Sequence, residues 1–321
     1  MATKTKYELK PGGATREAFG KALVELGASN PEVVVLDADL SKSTYTHDFG
    51  KKYPDRFFEC GIAEANMVAI GAGLASSGKI PFVSSFSVFL LNKGFEQFRV
   101  TAALPHINLK AVGTHSGISI GEDGPSQMSI EDLGLACSLV GFAVLCPADE
   151  VSMMKLVKAA AAYNGPLFIR AGRAKASIIY GPDQEFTIGK SIELMEGTGV
   201  TLIATGLLVA ESIKAAELLE AEGISARVID MHTIKPLDRD AIARAAKETG
   251  AIVVAEEHLV DSGLGVRVAQ VVAETHPAVM EFVGVQNTYA ESGSPDQLLD
   301  KYGLRARNVA DAAKRAIARK S

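Results

Sequence analysis

Short runs of β-branched and apolar residues alternate with longer alanine-rich stretches along almost the whole chain, and this rhythm leaves few folds open. The runs are VVVLDAD (33–39), IPFVSSF (80–86), INLKAVGTH (107–115), FAVLCPA (142–148) and PLFIRAG (166–172), with helical patterns near 14–28, 62–77, 94–104, 130–140 and 149–163. The rhythm resumes with TLIATG (201–206), ARVIDM (226–231), AIVVAEE (251–257) and MEFVGV (280–285), and helical patterns near 207–222, 238–249, 263–275 and 307–319. Runs that are apolar throughout belong in strands covered on both faces, and a helix between successive runs makes the strands parallel. The expected fold class is therefore α/β: two domains, each with a mostly parallel sheet flanked by helices.

Two domains are expected because 321 residues exceed the roughly 250–300 at which a single core usually divides. The polar, turn-rich stretch YGPDQEFTIGK (180–190) follows a completed unit, so the boundary is expected there, giving domains 1–185 and 186–321. A net charge of -5 offers no basic footprint for a nucleic acid. Cys60, Cys137 and Cys146 have no CxxC spacing and read as free thiols in a reducing compartment. No apolar run reaches the roughly 18 residues of a membrane span, so a cytoplasmic location without membrane partners is expected.

In open α/β sheets, ligands sit beyond the carboxyl ends of the strands, so the residues just after each run are where chemistry is expected. In ECGIAEANMVAIGAGLASSG (59–78), Glu64 enters an otherwise small and apolar helix. A desolvated carboxylate there could share a proton with a ligand nitrogen, although a first-turn acid also simply favours a helix N-terminus. The segment 80–99 holds five of the thirteen phenylalanines, of which Phe86 and Phe89 lie at a strand-to-helix passage and could face a flat heterocycle. Phe95 and Phe98 read as a buried helix face. VGTHSGISIGEDGPSQMSIED (112–132) is too polar and glycine-rich for a core. Its His115 and its Glu122 and Asp123 suit a loop that lines a polar substrate, the competing reading being a solvated turn.

Taken together, GIAEANM (61–67), FSVF (86–89) and THSGISIGEDGPSQ (114–127) resemble the pyrimidine-binding domain of transketolases. GATRE (13–17), DADLSKS (37–43) and FIRAGR (168–173) match in order and spacing, and VVAEEH (253–258) and AESG (290–293) are similar to the family's C-terminal domain. The resemblance covers nearly the whole chain, which looks like the C-terminal subunit of a split transketolase. It implies that Glu64 hydrogen-bonds the aminopyrimidine of thiamine diphosphate, that Phe86 and Phe89 stack on that ring, and that Asp39 lies near the cofactor. It further implies that His115 contacts substrate and serves catalysis, that Asp123 reads a sugar hydroxyl, and that Arg16, Ser43 and Arg170 bind a sugar phosphate.

One departure stands out. Where the family usually has a histidine after the Gly-Glu-Asp turn, this chain has Gln127, which can hydrogen-bond substrate but cannot act as an acid or base. The Gly-Asp-Gly motif by which the family holds diphosphate and a divalent metal such as magnesium is also missing from the sequence. The resemblance thus implies an N-terminal partner subunit that carries diphosphate and metal, no metal ligands here, and an α2β2 heterotetramer acting on sugar phosphates in the pentose phosphate pathway. The alternatives are a β subunit of a 2-oxo acid dehydrogenase, a 1-deoxyxylulose-phosphate synthase-like enzyme, and a non-catalytic regulatory paralogue.

Overall fold

A computed structural model describes residues 7–320. Seven strands form the first sheet in the order Thr233–Lys235, Ala143–Leu145, Leu167–Arg170, Lys110–Thr114, Ile80–Phe86, Val33–Asp37 and Phe57–Glu59. All neighbours are parallel except the first pair. Val33–Asp37 shows why the apolar runs become central strands. Val33 and Val35 face one hydrophobic cluster while Val34 and Leu36 face the other, so the period of two buries both faces. The second sheet has five strands in the order Val279–Val285, Ala251–Leu259, Val200–Ala204, Ala226–Asp230 and Ile192–Met195, parallel but for the last pair. The α/β expectation holds for both units.

Several elements depart from the sequence reading. The helix placed near 94–104 begins earlier, at Ser87, and passes at Phe98–Ala103 into a wider π-helical turn. Two short helices, Ser41–Thr44 and Thr46–Lys52, and the strand Phe57–Glu59 occupy a stretch in which no element was expected. Most consequential, Thr233–Lys235 lies beyond the expected boundary yet pairs antiparallel with Ala143–Leu145, so the second half of the chain supplies an edge of the first sheet. Both hydrophobic clusters likewise run from one sheet into the other.

The segment 180–190 is indeed irregular, but it is not a free linker. Buried Asp149 accepts from the backbone N–H groups of Ile179 and Tyr180, and the Tyr180 hydroxyl donates to Asp230 at 2.6 Å. Among the described residues no helix is long and apolar enough to cross a membrane.

Candidate functional site

The carboxyl ends of the first sheet carry the polar cluster, as the topology requires. Asp37, the last residue of its strand, is wholly buried and accepts from the Leu40 amide and from the hydroxyls of Thr44 and Thr46 at 2.7–2.8 Å. Burial pushes its carboxyl up to about 6, against the pull of those hydrogen bonds. The result is a fixed 37–46 loop in which Ser43 and Tyr45 face the first turn of the helix Thr15–Ser29. Arg16 on that turn donates from Nη1 to the Ser43 carbonyl at 2.8 Å, and its guanidinium lies 5.3 Å from the Tyr45 ring centroid.

The same Nη1 lies 3.1 Å from His115 Nε2. A guanidinium can only donate, so Nε2 accepts and the proton sits on Nδ1, which donates to Thr114 Oγ1 at 2.9 Å. His115 follows the strand Lys110–Thr114 in the left-handed region, with φ 59°. Its ring stacks on Phe86 at 3.7 Å between centroids. Burial, then Arg16 and Arg173, lower its pKa to about 3.

His115 is therefore uncharged at neutral pH, a neutral imidazole held between Arg16 and Thr114. Because the folded value lies below the unfolded one, its contribution to stability is full above about pH 6.5 and falls as the pH drops toward the folded value. An NMR titration of the His115 ring is expected to show no inflection between about pH 5 and 8. Arg16→Ala is expected to move the inflection upward; an unshifted wild-type titration near the free-histidine value would overturn the assignment.

From Phe86 the site continues to Phe89, whose ring is nearly parallel at 14° and 5.9 Å away. Phe86 is only 7% exposed and has one face on His115, so the half-buried Phe89 offers the more open ring. Lys93, one helical turn further on, places Nζ 4.6 Å from the Phe89 centroid and 3.2 Å from both carboxylate oxygens of Glu64. Glu64 begins the helix Glu64–Ser76 and is 3% exposed, whereas Lys93 is half exposed. A buried acid is thus balanced by a half-exposed cation, whose displacement would free a Glu64 oxygen for a ligand.

Glu64, Phe86, Phe89, His115, Arg16 and Ser43 form one chain of contacts, with Ser43 joined through its carbonyl. Asp123 and Gln127 lie on the tip of the 117–129 loop: Asp123 is exposed and close enough for its charge to act on Arg16, while Gln127 donates from its side-chain amide to Ser126 Oγ and from its backbone to the Gly124 carbonyl. The neighbouring Met128 is buried and anchors the tip. Asp39 is exposed, in the left-handed region with φ 61°, and its amide donates to Glu59. Among the described residues, no side-chain hydrogen bond or ion pair joins Asp39 to the cluster.

Arg170 requires a correction. Its Nε donates to both oxygens of Asp132 at 2.9–3.0 Å, and Nη2 to the carbonyls of Ser129 and Glu257, with the side chain 5% exposed. A guanidinium whose Nε and Nη2 are so committed neutralises buried Asp132, which favours a structural part for Arg170 over a grip on a sugar phosphate. Arg173 takes the open position instead. One third exposed, it donates to the Ile120 carbonyl and to Glu122, and its charge acts on both Arg16 and His115. Lys93 and Arg173 are the residues the sequence reading missed. Lys93 stands at i+4 from Phe89 on one helix face, which was a usable signal.

The site also bears on which small molecules fit. Arg16 Nε is buried and has no partner, an arrangement that costs about 1–3 kcal/mol unless an acceptor arrives. An anion beside Arg16 and Arg173 would supply that acceptor. Glu64 and Phe89, linked through Lys93, place an acid and an aromatic face at the other end of the cluster.

Comparison with known proteins adds the family. Residues 12–177 match the transketolase pyrimidine binding domain and residues 189–309 the transketolase C-terminal domain. The 6-deoxy-6-sulfo-D-fructose transketolase subunit SqwH of Clostridium sp. strain MSTE9 is 38% identical over 306 residues, covering 95% of each chain. Transketolase-like protein 2 of Mus musculus is 41% identical over 99% of this chain but only 51% of its own length. A solved structure described as a split gene transketolase, inactive beta4 tetramer, superimposes with a TM-score of 0.91 at 48% identity, over 97% of this chain and 100% of that one. The chain thus spans about half of one relative and nearly the whole of the other two.

Proposed function

The chain belongs to the transketolase family, and from that premise we propose that it is the C-terminal subunit of a split enzyme that transfers a two-carbon ketol unit between sugar phosphates. The observation that carries this reading is the continuous run from Glu64 through Lys93, Phe89, Phe86 and His115 to Arg16, in which a ring-binding end adjoins an anion-binding end. The boundary between its two domains is placed at residue 185.

Thiamine diphosphate, when bound, would supply the nucleophilic carbon and the electron sink of ketol transfer. Glu64 would hold a ring nitrogen of its pyrimidine, sharing or exchanging a proton there once Lys93 releases an oxygen. Phe89, with Phe86 behind it, would cover the ring and exclude water. His115, as a neutral imidazole, would accept a hydrogen bond from a substrate hydroxyl at Nε2 once Arg16 turns to the anion, and Asp123 on the loop tip would bind a second hydroxyl. Arg16 and Arg173 would grip the terminal anion through their forked donors. Asp39 and Gln127 retain supporting places, near the cofactor and at the substrate mouth.

The diphosphate and its divalent metal would be held by an N-terminal subunit, paired as an α2β2 heterotetramer. Two facts support that division: relatives of nearly the same length are described as a subunit and as a split-gene product, and another relative is about twice as long. A cytoplasmic setting in the pentose phosphate pathway accords with the thiols, all free and two of them buried. Names among the relatives favour ketol transfer over the oxo acid dehydrogenase and deoxyxylulose-phosphate synthase alternatives.

The test is to purify the chain with an N-terminal partner bearing Gly-Asp-Gly and assay xylulose 5-phosphate with ribose 5-phosphate, against pyruvate with glyceraldehyde 3-phosphate. Turnover of the sugar phosphates by the pair, and by neither subunit alone, is expected. Turnover only with pyruvate would overturn the reading. A sulfosugar donor belongs in the same assay, because a paired-arginine grip accommodates a sulfonate as well as a phosphate.

A further inference from the structure

The strand Ala251–Leu259 of the second domain, next to the edge of its sheet, ends against a loop of the first domain. Three successive residues at its end take hold of that loop. Buried Glu257 accepts from the Ser119 amide through Oε1 at 2.5 Å, His258 Nε2 accepts from the Leu133 amide at 3.1 Å, and the Leu259 amide donates to the Ile130 carbonyl at 2.8 Å. The neck of the loop is closed by the Gly117 amide on the Ser129 carbonyl at 2.7 Å. Gly117 presses so closely on the acid that a Cβ there would lie 2.3 Å from the Glu257 carboxylate carbon. Its φ of +80° would also strain any side chain.

The tip is held by the same domain at a second place. A Cβ on Gly121 would meet the Gly293 carbonyl and Pro295 at 3.1 Å, and one on Gly124 would come within 2.5 Å of Ser292 Oγ. Between these two supports the loop contains neither helix nor strand, so its shape depends on them. Burial pushes the Glu257 carboxyl upward against the pull of Arg170 and of the Ser119 bond, and in either protonation state its acceptor oxygen makes a directional bond to a backbone amide away from water.

We infer that Glu257 is a positioning residue: the second domain, through Glu257 at the base and Ser292–Pro295 at the tip, sets where Asp123 stands relative to His115 and so fixes the substrate wall of the site. This rests on the reading of that wall given above. It assigns the second domain a part in substrate affinity although it supplies none of the groups placed on the substrate.

The test compares Glu257→Ala, Glu257→Gln and Ser292→Tyr with wild type by hydrogen–deuterium exchange on the isolated chain and by steady-state kinetics on the assembled pair. Glu257→Ala is expected to speed exchange across 117–129 about tenfold with 80–86 unchanged, and to raise KM for the sugar phosphate about tenfold with kcat within about threefold. Glu257→Gln, which keeps the acceptor oxygen, is expected to restore most of both. Ser292→Tyr, at an exposed position beneath the tip, is expected to raise KM without lowering the thermal midpoint, and it carries the test if Glu257→Ala does not fold. Loop exchange like wild type in Glu257→Ala, a uniform rise over the whole chain that Gln does not reverse, or an unchanged KM in a folded Ser292→Tyr would overturn the inference. Absence of turnover in the wild-type pair would defeat the functional reading alone, and the exchange comparison would still decide the brace.

Discussion

Glu64→Ala, assembled with its diphosphate-binding partner, is expected to lose about two to four orders of magnitude in kcat, the usual contribution of a positioned proton-transfer group. The size follows from the setting. Glu64 is almost wholly buried at a helix N-terminus, its carboxylate is met by a half-exposed lysine, and that lysine lies over the more open of two stacked phenylalanines. Removing it takes away the one acid in the chain of contacts that can address a ring nitrogen. Glu64→Gln keeps a hydrogen bond but not the proton exchange, so it is expected to retain more cofactor binding than turnover. Stability should change little, because the ion pair with Lys93 is open to water on one side and such pairs contribute about 0–1 kcal/mol. Steady-state turnover, together with a cofactor-binding titration, checks this. Wild-type turnover in Glu64→Ala would return the chain to the class of regulatory paralogues.

Arg170→Ala is expected to act on folding, at a cost of about 3–5 kcal/mol, because it leaves the fully buried Asp132 without its cation. Complete burial alone would raise the Asp132 pKa, but the Arg170 guanidinium beside it holds it below the ordinary carboxylate range. A depressed carboxylate contributes stability above about pH 4 and loses it as the pH falls through the folded value. Arg170→Ala should therefore also be less sensitive to acid than wild type between those values. Arg173→Ala is expected to leave the melting temperature nearly unchanged and to raise KM for the sugar phosphate by about one to two orders of magnitude, the loss of a charge-assisted pair of donors. Denaturant unfolding and initial-rate kinetics on the two variants separate the roles. A stable Arg170→Ala with a high KM would restore the phosphate role to Arg170.

Those two arginines show where sequence reasoning ran out. Both lie in FIRAGR, three residues apart at a strand end, and nothing in the string distinguishes the guanidinium turned inward from the one turned out. Side-chain direction there depends on where the strand stops, and Leu167–Arg170 ends on the buried residue. Glu64 and the paired Phe86 and Phe89 were legible because each breaks the local composition: an acid in an apolar helix, and aromatic rings crowded together in a chain with few of them. The grip of Asp37 on Thr44 and Thr46 was not, since its partners are seven and nine residues away across two short helices with no apolar period.

The sequence by itself determined the α/β class, the parallel strands and the family, because hydrophobic periodicity and ordered motifs are local properties of the chain. Tertiary structure alone decided that Thr233–Lys235 completes the first sheet, that Arg170 pairs with buried Asp132 while Arg173 stays one third exposed, and that Glu257 reaches the 117–129 loop. The physical reason is the same in each case. Strand pairing, ion pairing and burial are contacts between residues far apart in the chain, and their energies depend on the distance and solvent exposure that folding creates.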